Sequence, residues 1–152
     1  MADYNFTTGA QRVLSQACRE AAELQHGIIG TEHVLLALMQ VKDADLAATF
    51  ARVQMDPSQM RSTTLTMLGL SPEQQAANRT LAVEDVPELP FTHRINSVIE
   101  CAMVEARDLN TGGVTSSCLL LGLLRERNGV AAEALARHGI TVEMVRHAIQ
   151  SP

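Results

Sequence analysis

The chain has 152 residues, of which 46% are hydrophobic, 19% charged and 3% aromatic. That supply of apolar side chains excludes a disordered polymer, and a core drawn from Ala, Leu, Val, Ile and Met favours packed helices over a β-sandwich. A net charge of −5 argues against a nucleic-acid partner, and the one lysine, Lys42, stands outside any glycine-rich loop, which excludes a P-loop nucleotide site.

The first predicted helix is capped by Thr7 and carries Ala10, Val13, Leu14, Ala17, Ala21 and Leu24 on one face. Gly27 and Gly30 interrupt it. Thr31 is then expected to cap a second helix over Val34 to Met39 that is apolar all round and therefore buried. A third spans about 44–53. Asp56 before Pro57, with Gln59 three positions on, opens a fourth that ends near Gly69.

Residues 70–90 are polar and contain Pro72, Pro87 and Pro90, which reads as a linker with little structure of its own. Thr92 opens a fifth helix with Ile95, Val98, Ile99, Ala102, Met103, Ala106 and Leu109 on one face. Gly112 and Gly113 break it, and Ser116 is expected to cap a buried helix over Leu119 to Leu124. Gly129 precedes the seventh helix and Thr141 starts the last.

The second half repeats the first. An offset of 85 places Phe6-Thr7 on Phe91-Thr92, Val13 on Val98, Ala17 on Ala102, Glu20 on Glu105 and Leu35-Leu36 on Leu120-Leu121. It continues without a change of register through Phe50 on Leu135 and Met60 on Val145. A tandem duplication follows. The expected fold is all-α, two four-helix repeats in a pseudo-twofold eight-helix bundle: 1–69, a linker at 70–90, and 91–152, together one compact domain.

No signal-like start, membrane-length apolar run or C-x-x-C pair occurs, so a reduced, cytoplasmic protein without membrane partner, metal or cofactor is expected. Cys18, Cys101 and Cys118 fall on apolar faces and read as small hydrophobes. His33, beside an apolar run, reads as a hydrogen-bonding core residue.

Three motifs carry a resemblance. They are Phe6-Thr7-x-x-Ala10-Gln11-x-Val13-Leu14, Gly30-Thr31-Glu32-His33-Val34-Leu35-Leu36-Ala37-Leu38, and Leu89-Pro90-Phe91-Thr92-x-Arg94. With Leu121-Gly122-Leu123-Leu124-Arg125-Glu126 they resemble the amino-terminal domain of the Clp unfoldases, the ClpC type above all. The ATPase modules that normally follow are absent from the sequence, so it looks like a free-standing Clp N-domain protein.

The resemblance implies a non-enzymatic module that binds adaptor proteins, Clp unfoldase components or substrates marked with phosphoarginine. In the family, two equivalent pockets are each built around the Glu of a Gly-Thr-Glu-His string. Here that assigns Glu32 and Thr31 to the first, with Thr7 and Thr8 as donors from a second helix start; the bland alternative is an ordinary helix cap. The second pocket is degenerate, because the offset puts Ser117 and Cys118 where the family has Glu-His. One phosphoarginine site is therefore expected.

A groove that in actinobacterial relatives takes cyclic peptide antibiotics maps to Gln11, Leu14, Pro90, Phe91, Ile99 and Glu100, with departures from the family at Cys18, Ile95 and Asn96. Alternatives are a decoy that competes with full-length ClpC or sequesters such antibiotics, a structural fragment that binds the Clp ring, and a small hydrolase using Cys118 or His33.

Overall fold

A computed structural model describes residues 5–76 and 81–150. The termini of the two expected repeats (1–4 and 151–152) and linker positions 77–80 lie outside the described residues. The helices in chain order are α1 (Thr8–Glu23), α2 (Thr31–Gln40), α3 (Ala44–Arg52), α4 (Pro57–Met67), α5 (Pro72–Ala76), α6 (His93–Leu109), α7 (Ser116–Arg125), α8 (Val130–Arg137) and α9 (Val142–Gln150). Helices α1 to α4 and α6 to α9 are the eight expected from the repeat, and their first residues differ by 85 positions to within one residue.

Local chemistry sets most of the boundaries. The Thr7 and Thr92 side chains accept from the amides of Ala10 and Ile95, and Asp56 accepts from Ser58 ahead of Pro57. Two caps differ from expectation. Gly30 and Thr115 hold the cap positions, and Thr31 and Ser116 are the first helical residues. At the second, Thr115 Oγ1 accepts from Cys118 N at 3.1 Å, so of two adjacent hydroxyl residues the earlier one captures the helix start.

The apolar runs of α2 and α7 form the centre: Leu35, Leu36, Leu38, Leu119, Leu120 and Leu121 are fully buried. Each such leucine stabilises the fold by about 1.5–3 kcal/mol through burial. Helix α1 lies along α2, and α6 lies along α7. At Gly122 a Cβ would collide with the backbone carbonyl of Val98, so the close approach of α6 to α7 requires glycine there.

The third helix of each repeat crosses over. Helix α3 packs on α7 and α9, and α8 packs on α2 and α4. The segments ahead of the helices cross too. Phe6 forms a parallel bridge with Val114, and Ile29 one with Phe91. The hydrogen bonds match across the duplication: Thr7 N to Val114 O at 3.0 Å, and Thr92 N to Ile29 O at 3.0 Å.

The linker is more ordered than its composition predicts. It contains α5 and a 3-10 turn at Val83–Asp85, and it is fastened to α1. Arg19 donates to the Leu81 carbonyl, Leu81 N donates to Glu23 at 3.1 Å, and the Cys18 thiol donates to the Pro87 carbonyl at 3.1 Å. These tertiary bonds, which no local pattern announces, supply the order that the segment lacks on its own.

Candidate functional site

The crossing of the repeats decides which helix starts meet. The start of α2 faces the start of α6 across a cleft of about 620 Å3, lined among others by Ile28, Glu32, Thr92, Arg94 and Asn128. Glu32 is half-buried, and its carboxylate has no hydrogen-bond or ion-pair partner among the described residues. It folds back over Gly30, where a Cβ would fall on the carboxylate. Arg94 is exposed, and its guanidinium lies 3.6 Å from Glu126. No side chain caps α2.

One lobe of the cleft is thus an available carboxylate, and the other is a guanidinium beside the first turn of α6. A helix start attracts anions through its unpaired amides and its dipole. The pair therefore offers complementary ends to a ligand that carries a cation next to an anion.

Thr31 lines this cleft, but its side chain is buried and turned toward α8. Its hydroxyl accepts from Ala131 N at 3.5 Å and occupies the space that a Cβ on Gly129 would need. Thr7 and Thr8 are not at the Glu32 cleft, which corrects the expected grouping. Thr8 lines a groove with Val41 and Lys42, at the opposite end of α2 from Glu32. Ten helical residues separate those ends by about 15 Å. Thr92, the partner of Thr7 across the duplication, takes its place beside Glu32.

The offset maps this cleft onto Thr7, Gly9, Asp43 and Ser117, and that second place is altered in both charges. Gly9 stands for Arg94 and Ser117 for Glu32. Carboxylates from α3 and its cap fill the space. Asp45 accepts from Ser117 N at 3.3 Å and Ser117 Oγ at 2.9 Å, and Ser116 Oγ donates to Asp43. With Thr115 already on the Cys118 amide, the Ser117 and Cys118 amides of the first turn of α7 are both taken. Two carboxylates, Asp43 and Asp45, thus stand at the start of α7.

Behind the Glu32 cleft sits a histidine pair. His33 Nδ1 accepts from Gly30 N at 2.8 Å, so its proton is on Nε2, which donates to His26 Nδ1 at 2.8 Å. Burial holds the His33 imidazole down at about 4, with His26 adding to the effect and Glu20 opposing it. His33 is a neutral core residue that fixes the backbone turn presenting Glu32. No group of three or more His, Cys, Asp or Glu among the described residues is arranged to hold a metal ion.

Over residues 5–85 and 90–152 the sequence matches the Clp repeat (R) N-terminal domain. The chain belongs to that family. It is 35% identical to the ATP-binding subunit ClpC of the ATP-dependent Clp protease of Staphylococcus saprophyticus over 140 residues, 92% of this chain and 16% of that protein. The negative regulator of genetic competence ClpC/MecB of Bacillus subtilis is 32% identical over 144 residues, 95% of this chain and 16% of that protein. Among solved structures, the N-terminal domain of ClpD from Arabidopsis thaliana shares the fold, with a TM-score of 0.68 at 20% identity over 98% of this chain and 94% of that one. The chain spans about one sixth of the length of these ClpC relatives.

In this Clp N-terminal domain the residues expected to form the peptide groove stand in different surroundings. Gln11 lines the α1 groove and donates to the Phe6 carbonyl at 3.1 Å. Leu14 packs against the core and Ile99 is buried in it, while Glu100 is exposed. The Pro90 carbonyl accepts from Ile29, and Phe91 stands 40% exposed. Cys118 is fully buried, with its thiol 3.2 Å from Thr115 Oγ1, a position from which a nucleophile does not reach a substrate. No helix among the described residues is long and apolar enough to cross a membrane.

The sequence shows the loss of the acid at Ser117; the loss of the matching cation, with Gly9 at the position of Arg94, is legible at the same offset, whereas the placement of Asp43 and Asp45 against Ser116 and Ser117 is not.

Proposed function

We propose that this Clp N-terminal domain is a non-catalytic docking module that captures proteins bearing phosphoarginine, one per chain, in the Glu32 cleft. The observation that carries this reading is the unpaired Glu32 carboxylate facing Arg94 across the starts of α2 and α6. Phosphoarginine joins a guanidinium-derived group to a phosphoryl dianion. Glu32 accepts from the former, while Arg94 and the first turn of α6 receive the latter. The acids at the second place exclude a second ligand. Similarity to ClpC, described as the ATP-binding subunit of an ATP-dependent protease, supports a partner within regulated protein turnover, an adaptor or a marked substrate.

Calorimetric titration with free phosphoarginine tests the reading. The expected result is one site per chain, lost in Glu32→Ala and weakened in Arg94→Gln. Absence of binding, or stoichiometric binding retained by Glu32→Ala, overturns it.

A further inference from the structure

We infer that a second, separate surface of this domain, the groove along the outer face of α1, docks an acidic peptide segment of a partner protein. The groove encloses about 810 Å3 between α1, the end of α2 and the strap at 86–88. Arg12, Arg19 and Lys42 line it against a single acid, Glu88, in a chain whose net charge is −5. Arg12 and Lys42 are exposed and have no acidic partner among the described residues.

The fold does not require the two arginines, although Lys42 has a basic counterpart in Arg127. At the equivalent positions of the second repeat, Ser97 stands for Arg12 and Val104 for Arg19. Two copies of one helix thus pack in the same way, and only one carries the charge. Between the cations lie Val41, Val86 and Pro87, an apolar wall for the side chains that alternate with acids in a bound segment. The wall is already in place, because Arg19, Glu23 and Cys18 fasten the strap to α1, so a ligand need not order it. An acidic segment is what this charge distribution attracts and orients.

The inference rests on the docking-module reading but not on its ligand, since Glu32 and Lys42 are at opposite ends of α2. The test is fluorescence anisotropy with a labelled nine-residue peptide, Leu-Glu-Glu three times over, and its twin with lysine for glutamate. The acidic peptide is expected to bind and to weaken as salt rises. Arg12→Glu combined with Lys42→Glu lowers its affinity at least about tenfold, and the milder Arg12→Gln with Lys42→Gln moves it in the same direction. Glu32→Ala leaves it unchanged, which separates this surface from the phosphoarginine cleft. Equal binding of the two peptides, an unaffected double variant, or equally tight binding of an oligothymidylate of matched charge overturns the inference.

Discussion

Glu105 lies buried beneath Arg146, whose Nε and Nη2 reach its two carboxylate oxygens at 2.8 and 2.5 Å. Arg125 adds a third bond at 3.0 Å. The same arrangement stands 85 positions earlier, where Arg61 donates to buried Glu20 at 3.0 Å. In both repeats an arginine of the fourth helix is thereby tied to the first. The Arg146 hydrogen bond holds the Glu105 carboxyl below the ordinary carboxylate range, against the opposing effect of burial.

Glu105→Gln removes the charge that two arginines face; because both arginines are more than a third exposed to water, the loss is expected at about 1–3 kcal/mol, below that of a fully buried pair. Urea denaturation should show that loss at neutral pH. Glu20→Gln, which meets one arginine, should cost less. Equal losses would argue that Arg125 contributes nothing.

Stability should depend on pH through His33. The folded state keeps this imidazole neutral down to about 4, whereas the unfolded chain takes up a proton below about 6.5. The folded state is therefore at full advantage above pH 6.5 and loses up to about 3 kcal/mol as pH falls toward 4. Denaturation at pH 7.5 and 4.5 should show a steeper loss for the wild type than for His33→Gln. The difference between the two isolates His33 from Glu105, whose contribution also declines on acidification.

Asp45→Ala should cost about 1–2 kcal/mol, the usual penalty for removing a side chain that satisfies a helix start. Phosphoarginine stoichiometry should stay at one, because Ser117 and Gly9 still lack the required charges. Calorimetry showing a second site in this variant would mean that Asp45 alone blocks the place.

Gly30→Ala tests the geometry of the cleft without removing its acid. The added methyl group falls where the Glu32 carboxylate now rests. Phosphoarginine affinity is expected to drop by about tenfold, or 1.4 kcal/mol, while the melting temperature changes little. An unchanged affinity would mean that the carboxylate is free to adopt its binding position from elsewhere.

A thiol reagent applied to the native protein should modify the half-buried Cys18 and Cys101 well before Cys118, which has no exposed surface. Rapid labelling of Cys118, counted by mass spectrometry, would contradict its burial.

Helix positions were legible because the duplication states each of them twice: Val13 with Val98 and Met60 with Val145 fix the same faces independently. Caps were legible at Thr7 and Thr92 and slipped by a residue at Gly30 and Thr115, the matching helix start of each repeat. Glu32 was legible as a carboxylate at a helix start. Its surroundings were not, because the bridges of Phe6 to Val114 and Ile29 to Phe91 send each repeat across to the other. Periodicity describes faces within a helix and carries no information on which helix ends converge. The fastening of residues 81–88 to α1 was hidden for the same reason.

The exchanged third helices make the two repeats depend on each other. A solitary copy of the unit would leave the inner face of α3, with Leu46 and Phe50, bare to water, because α7 and α9 cover it only from the other repeat. A single repeat would therefore need a second copy to cover that face, and joining the two copies in one chain supplies the cover at a fixed ratio and lets each half vary in sequence by itself.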